Sequence, residues 1–163
     1  RLLILTLCVT PLRQISGWNN LAPSRRTLGL MSFLYATLHL ATYLTFDLSW
    51  DFSDFAEDIQ ERPYITLGFA AFMILVPLAM TSTRKSIKRL GRGWRRLHRW
   101  IYLALALAIG HFIWLVKADI REPLIYAGIA ALVLAWRIPP LLGRRTPNYA
   151  TLRRSRKKRT HVL

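Results

Sequence analysis

Apolar runs that could cross a lipid bilayer, alternating with charged connectors, constrain this chain more than any other feature. A helix that spans the hydrocarbon core needs roughly 20 apolar residues. Of the 163 residues 53% are hydrophobic, and five runs stand out: Leu2–Leu12, Leu28–Phe46, Pro63–Met80, Trp100–Val116 and Leu124–Trp136, the last extending as far as Ile138. The pattern predicts an all-α, polytopic transmembrane helix bundle.

The first run is too short to cross a bilayer by itself. Its eleven residues rise only about 16 Å as a helix, and no small-residue cleavage site of a signal peptide follows it. We therefore expect Leu2–Leu12 to be the second half of a spanning helix, and the chain to be N-terminally truncated.

The charges are sorted by connector. Of the 24 basic residues, 20 lie between the first and second runs, between the third and fourth runs, or after the fifth run. These basic connectors contain no carboxylate. All eight acidic residues lie in the two other connectors, the acidic loops. The positive-inside rule places the basic connectors in the cytoplasm and the acidic loops across the membrane. We expect residues 1–143 to form the bundle and residues 144–163 to form a polybasic cytoplasmic tail.

A net charge of +16 also suggests nucleic-acid binding. That class is excluded here because the basic residues alternate with apolar runs that match bilayer thickness. Cys8, the single cysteine, cannot form an internal disulfide. Nothing in the sequence matches a catalytic triad, a metal-hydrolase motif or a phosphate-binding loop, so no catalytic residue is predicted.

Two histidines lie inside apolar runs, where an ionisable side chain is costly and marks a functional site. His39 is thirteen residues from Arg26, and His111 is fifteen from Arg96. At 1.5 Å per residue both lie roughly 20 Å from the cytoplasmic edge. Two imidazoles at one depth, on helices with small residues on the same faces, predict bis-histidine haem ligation; the small residues are Ser32, Ala36, Ala104 and Ala108. The alternatives are a hydrogen bond across the bundle and a small transporter with a histidine proton relay.

The third histidine of this part of the chain, His98, lies among arginines at the cytoplasmic edge. Spacing alone favours a solvated side chain, because thirteen residues rotate His98 about 140° from His111 on an ideal helix. A bulge at Gly110 would change that angle. Arg95, Arg96 and Arg99 are candidates to bind haem propionates, a flavin phosphate or lipid phosphates.

Three segments resemble the MsrQ family (formerly YedZ), the haem-binding inner-membrane subunits of the bacterial periplasmic methionine sulfoxide reductase system. They are RTLGLMSFLYATLHLATYL, ERPYITLGFAAFMILVPLAMTST and LGRGWRRLHRWIYLALALAIGHFIWLVK. The resemblance runs from about Leu2 to about Ile138, and its specific elements are TLHL, TSTR, W-x-x-LH and HF-x-W. The family lies in the ferric-reductase-like superfamily, with the NADPH oxidases and the STEAP proteins.

The resemblance implies a six-helix bundle in the bacterial inner membrane that binds haem b, with His39, His98 and His111 matching the important histidines of the family. It implies a non-catalytic electron-transfer subunit that takes electrons from the quinone pool or a cytoplasmic flavin donor, with FMN as a second candidate cofactor. The electrons would pass to MsrP, the periplasmic molybdopterin-containing reductase that repairs oxidised methionine. The superfamily often has two histidines on each of two helices, whereas Leu28–Phe46 has one.

The stretch Asp47–Arg62 is expected to be a loop that holds six carboxylates and three aromatic residues, Trp50, Phe52 and Phe55. It fits either a solvated loop with aromatics at the membrane interface or a docking face for a soluble electron acceptor. In the second case complementary charge would mainly raise the association rate.

Overall fold

The computed structural model describes residues 1–18, 22–116 and 119–141, and all regular structure in that part of the chain is helical. The predicted all-α class is therefore confirmed. The elements are α1 (Leu2–Ser16), α2 (Ala22–Phe46), α3 (Phe52–Glu61), α4 (Pro63–Met80), α5 (Arg84–Leu90), α6 (Arg92–Leu97), a 3₁₀ turn (His98–Trp100), α7 (Ile101–Leu115) and α8 (Arg121–Leu141). The predicted boundary at residue 143 and the polybasic tail lie outside the described residues.

Two compact units divide the chain, Arg1–Val133 and Leu134–Leu163. The first unit contains all the histidines that the structure describes. Within the second, the described residues are the last turns of α8.

Three helical stretches of the described chain are long and apolar enough to cross a membrane: Ser24–Phe46, Pro63–Met80 and Arg92–Leu115. They correspond to three of the predicted spans. The apolar helix α1 is shorter, with 15 residues. The last predicted span lies in α8, which includes Arg121, Glu122 and Arg137 and does not meet the same criterion.

Helix α4 holds the spans together. It packs most extensively against α7 and also contacts α2 and α3, while α1 packs on α2. Small and aliphatic side chains fill these interfaces: Leu7, Ala71, Leu75, Leu78, Ala104 and Leu105 are buried. Large apolar side chains elsewhere on the spans are exposed, among them Leu34, Leu38, Met73 and Leu103, as lipid-facing positions require.

The acidic stretch is not the loop that we expected, because most of it forms α3. The Asp51 carboxylate caps the helix by accepting a hydrogen bond from the backbone N–H of Ser53, at 2.8 Å. Phe55 and Ile59 share one helical face and are half-buried, whereas Asp54 and Glu57 are exposed. The many carboxylates favoured a loop in the sequence analysis, whereas the segment is an amphipathic helix with Asp51 as its N-cap.

Two boundaries also differ from the expected ones. Helix α2 begins at Ala22, six residues before the predicted span at Leu28, so the end of the connector forms its first turns; Pro23 is compatible with a helix start. The second difference is at the start of the span predicted at Trp100–Val116, where a 3₁₀ turn at His98–Trp100 separates α6 from α7. The rotation of His98 on an ideal α-helix therefore does not apply, since a 3₁₀ turn has three residues rather than 3.6.

Candidate functional site

A cavity of about 500 Å³ opens between α2, α3, α4 and α7. Its volume is within the usual range for a site that binds a cofactor-sized molecule. The walls are mainly apolar and aromatic, and both intramembrane histidines line it. The other polar side chains in the wall come from the C-terminal part of α2, the start of α4 and the residues that flank these segments. They are Thr42, Tyr43, Asp47, Arg62 and Tyr64.

The structure brings His39 and His111 together, as their matched depth predicted. Their ring centroids are 6.3 Å apart and the ring planes make an angle of 70°. The small residues predicted near them divide into two pairs. Ala36 and Ala108 line the cavity, whereas Ser32 and Ala104, one turn further from the histidines, are buried in helix contacts.

The first turn of α4 holds the His111 ring in place. Its Nδ1 atom lies 2.6 Å from the backbone carbonyl oxygen of Tyr64. A carbonyl oxygen can only accept, so Nδ1 carries the hydrogen and donates it, which leaves the lone pair of the neutral ring on Nε2. A hydrogen bond of this kind on the second ring nitrogen is the usual way in which proteins orient a metal-binding histidine.

Gly68, one turn later on α4, allows this close approach. A Cβ atom at Gly68 would lie 2.8 Å from Nδ1 of His111 and 3.1 Å from its Cε1 atom. Any larger residue would therefore crowd the imidazole and force it to move. The glycine forms part of the cavity wall, and its role here is close packing rather than an unusual backbone conformation.

His39 has no comparable support. Neither of its ring nitrogens has a hydrogen-bond partner among the residues that the structure describes, and the side chain is exposed toward the open cavity. The hydroxyl of Thr42 bonds the His39 backbone carbonyl, at 2.7 Å, and not the ring. An imidazole that lines the cavity without a hydrogen-bond partner among the described residues is available to bind a ligand there.

A polar cluster lies at the mouth of the cavity. The Tyr43 hydroxyl donates a hydrogen bond to Oδ2 of Asp58, and Nε of Arg62 lies 3.1 Å from Oδ1 of the same carboxylate. The Asp58 side chain is only 14% exposed, whereas that of Arg62 is 53% exposed. The Asp58 carboxylate, and secondly the phenol of Tyr64, raise the pKa of Arg62 above its ordinary value.

His98 does not line this cavity. Its ring stacks on that of Trp94, with centroids 3.9 Å apart and planes 26° apart. Its Nδ1 atom lies 3.2 Å from the Trp94 carbonyl oxygen. The indole N–H of Trp94 donates to the backbone carbonyl of Thr81, at 3.0 Å, just beyond the end of α4. His98 is thus half-buried against its own helix rather than free in solvent.

The arginines predicted to bind anions near the histidines are also elsewhere. Arg95 and Arg96 lie on α6, Arg99 lies in the 3₁₀ turn, and all three are exposed and absent from the cavity wall. Sequence reasoning missed Tyr64 and Gly68 of α4, which contact His111, and the pair Asp58 and Arg62 at the end of α3 and in the junction before α4. A signal for one of them was present, because a glycine inside an apolar helix often marks a close approach.

Comparison with known proteins identifies the family. Residues 1–109 match the family described as "Ferric reductase like transmembrane component". A relative from Xanthomonas axonopodis pv. citri, named "Protein-methionine-sulfoxide reductase heme-binding subunit MsrQ", is 53% identical over 95% of this chain and 70% of its own length. A relative of the same name from Azospira oryzae is 48% identical over 83% of this chain and 59% of its own length. No solved structure matches the chain. The chain therefore belongs to the MsrQ family of ferric-reductase-like transmembrane proteins.

Proposed function

We propose that this protein is the haem-binding subunit of a methionine sulfoxide reductase system and that His39 and His111 are the two axial ligands of a haem b. The observation that carries the proposal is the pair itself: an unpartnered imidazole on α2 whose ring centroid is 6.3 Å from that of an oriented imidazole on α7. The names of the relatives support the same cofactor class, since they describe heme-binding subunits.

The spacing of the rings fits one metal ion between them. A metal–imidazole bond is about 2 Å long and the ring centre lies about 1 Å behind the nitrogen, so two ligands on opposite sides place their centroids about 6 Å apart. The described residues contain no group of three or more His, Cys, Asp or Glu able to hold an ion. Two imidazoles therefore need further ligands from the cofactor, and a porphyrin provides four.

Haem supplies a reversible one-electron carrier when it is bound. The chain provides the environment of that carrier: Gly68 leaves room for the His111 ring, the Tyr64 carbonyl keeps its Nδ1 protonated, and mainly apolar side chains form the wall. Nothing in these roles requires chemistry on a substrate. The methionine sulfoxide would be reduced on a partner protein.

The charge distribution supports an orientation in the membrane, and the direction of electron transfer that we propose combines this orientation with the family resemblance. With the basic connectors in the cytoplasm, α3 and the mouth of the cavity face the periplasm of a bacterial inner membrane. Electrons would then enter from the quinone pool or a cytoplasmic flavin donor, with FMN as a possible intermediary cofactor, and leave for the molybdopterin-containing reductase MsrP. The stack of His98 on Trp94, within the basic segment, supports a role for His98 in the entry step. The exposed Arg95, Arg96 and Arg99 are suited to lipid or flavin phosphates rather than to this haem.

Replacement of each histidine tests the ligand assignment. We expect His39→Ala and His111→Ala to lower the haem-to-protein ratio at least about tenfold, because even the loss of an outer partner of a metal ligand costs about 10- to 100-fold. Any remaining haem should be high-spin in the absorption spectrum. His98→Ala is the matched control and should retain the low-spin spectrum of this haem.

Two results would contradict the proposal. A full low-spin spectrum in either His39→Ala or His111→Ala would show that the pairing is wrong. A wild-type protein without a Soret band, purified from haem-replete cells, would instead favour the proton-relay transporter.

A further inference from the structure

We propose that Arg62 anchors a carboxylate group on the rim of the bound macrocycle, and thereby fixes the direction in which the cofactor enters the cavity. This inference rests on the proposed haem site. It assigns to that site an anion-binding residue, held by Asp58 and Tyr43, which lies outside the apolar spans.

Arg62 is the one cationic side chain among the described residues that line the cavity. The other charged side chain in the wall is Asp47, a carboxylate, which repels an anion. Apart from the two histidines, the part of the wall away from the mouth consists of apolar side chains, such as those of Ala71, Phe72 and Leu75. Because an unpaired carboxylate is costly in an apolar environment, the carboxylated edge of the cofactor must point to the mouth.

Arg62 is close enough in the chain to Tyr64 for its side chain to reach a ring that His111 binds. Tyr64, whose carbonyl bonds His111, is two residues after Arg62. Two residues span at most about 7 Å, so the backbone of Arg62 lies close to the axial ligand. Its side chain extends from the N-terminal end of α4, where Pro63 begins the helix. The guanidinium can therefore reach the rim of a ring that is held at its centre by His111.

Asp58 and Tyr43 present the guanidinium in a defined position. The Nε atom of Arg62 is paired with Oδ1 of Asp58, whose Oδ2 accepts the Tyr43 hydroxyl. A guanidinium has five N–H donors. Asp58 engages Nε, the Tyr64 phenol is a second hydrogen-bonding partner, and the other N–H groups remain for a ligand. The terminal nitrogens can bind a carboxylate in the bidentate manner that is typical of arginine. The half-exposed position of Arg62 leaves them accessible.

The esterified cofactor gives a direct test. Full-length protein is produced in haem-depleted cells, purified in detergent and titrated with hemin and with hemin dimethyl ester, in which both carboxylates are blocked. We expect wild-type protein to bind hemin about fivefold more tightly than the ester, the upper range for a half-exposed ion pair. Added salt should reduce this preference, because exposed charges are screened.

Variants assign the preference to one residue. Arg62→Gln should lower hemin affinity about fivefold and leave ester affinity unchanged, whereas Arg62→Lys should retain part of the preference. Arg121→Gln is the matched control and should bind both cofactors as wild type does, since Arg121 is exposed and outside the cavity wall. Asp58→Asn removes the ion pair but keeps Arg62, so hemin should still be preferred.

Each contrary result has a distinct meaning. If wild-type protein binds hemin with a low-spin spectrum but binds the ester equally well, Arg62 is not a carboxylate anchor and the axial histidines remain. An equal loss of both cofactors in Arg62→Gln would reduce Arg62 to a structural partner of Asp58 and overturn the inference. If wild-type protein binds neither cofactor, the haem site itself is refuted.

Discussion

Gly68→Ala is the smallest substitution that tests whether α4 positions the axial histidine. The added Cβ would lie 2.8 Å from Nδ1 of His111 and 3.3 Å from its Cγ atom. Non-bonded heavy atoms meet favourably at about 3.5 Å or more, so the ring must move away by about 0.7 Å. That movement stretches the 2.6 Å hydrogen bond to the Tyr64 carbonyl oxygen.

The expected magnitude follows from two costs and one gain. Overpacking of a helix interface costs about 1–3 kcal/mol, and the weakened hydrogen bond costs about 1 kcal/mol more. Replacement of glycine by alanine inside a helix returns about 1 kcal/mol. We therefore expect a net destabilisation of about 1–3 kcal/mol, concentrated at His111. The displaced ligand should weaken haem binding about tenfold and alter the low-spin spectrum.

The measurements are haem content, the reduced-minus-oxidised absorption spectrum and thermal unfolding of the purified protein. Gly128→Ala is a matched control, because a Cβ at that helical glycine would meet no atom within 4 Å. Gly110→Ala is a second control, since its Cβ would meet only a terminal methyl of Leu67, at 3.3 Å. If Gly68→Ala retained the wild-type spectrum and haem content, the first turns of α4 would not determine the position of His111.

Two further predictions concern the ends of the bundle. Cysteine introduced at Ser53, at the start of α3, should react with an impermeant thiol reagent added from the periplasmic side, and cysteine at Ser86, in α5, should not; the opposite labelling pattern would reverse the topology. If the exposed acidic face of α3 docks the electron acceptor, its neutralisation should slow transfer to that partner at low salt and leave the haem spectrum unchanged, with a difference that shrinks as salt rises. The variant for this test is Asp51→Asn, Asp54→Asn and Glu57→Gln. Asparagine keeps the N-cap of α3, and Asp58 is omitted because it pairs with Tyr43 and Arg62. A wild-type transfer rate at low salt would exclude this surface as the docking site.

The sequence alone was sufficient for three of the spans and for the common depth of His39 and His111. Span length follows from bilayer thickness and composition. The common depth of the two histidines follows from the fixed rise of a helix, since both lie a similar number of residues from a basic edge. Neither inference requires knowledge of how the helices pack. The two rings come within 6.3 Å of each other because α2 and α7 both pack against α4, which the sequence does not show.

The packing of α4 decided the rest of the site. Depth along a helix can be counted from the sequence, but the rotation of a helix about its axis and the choice of neighbours depend on side-chain contacts between distant segments. Only the tertiary structure therefore shows that Gly68 and the Tyr64 carbonyl face His111. The same reason explains why Arg62, and not the arginine-rich segment before α7, lies at the cavity: net charge can be counted along the chain, whereas the distance from a guanidinium to a pocket depends on which helices enclose it.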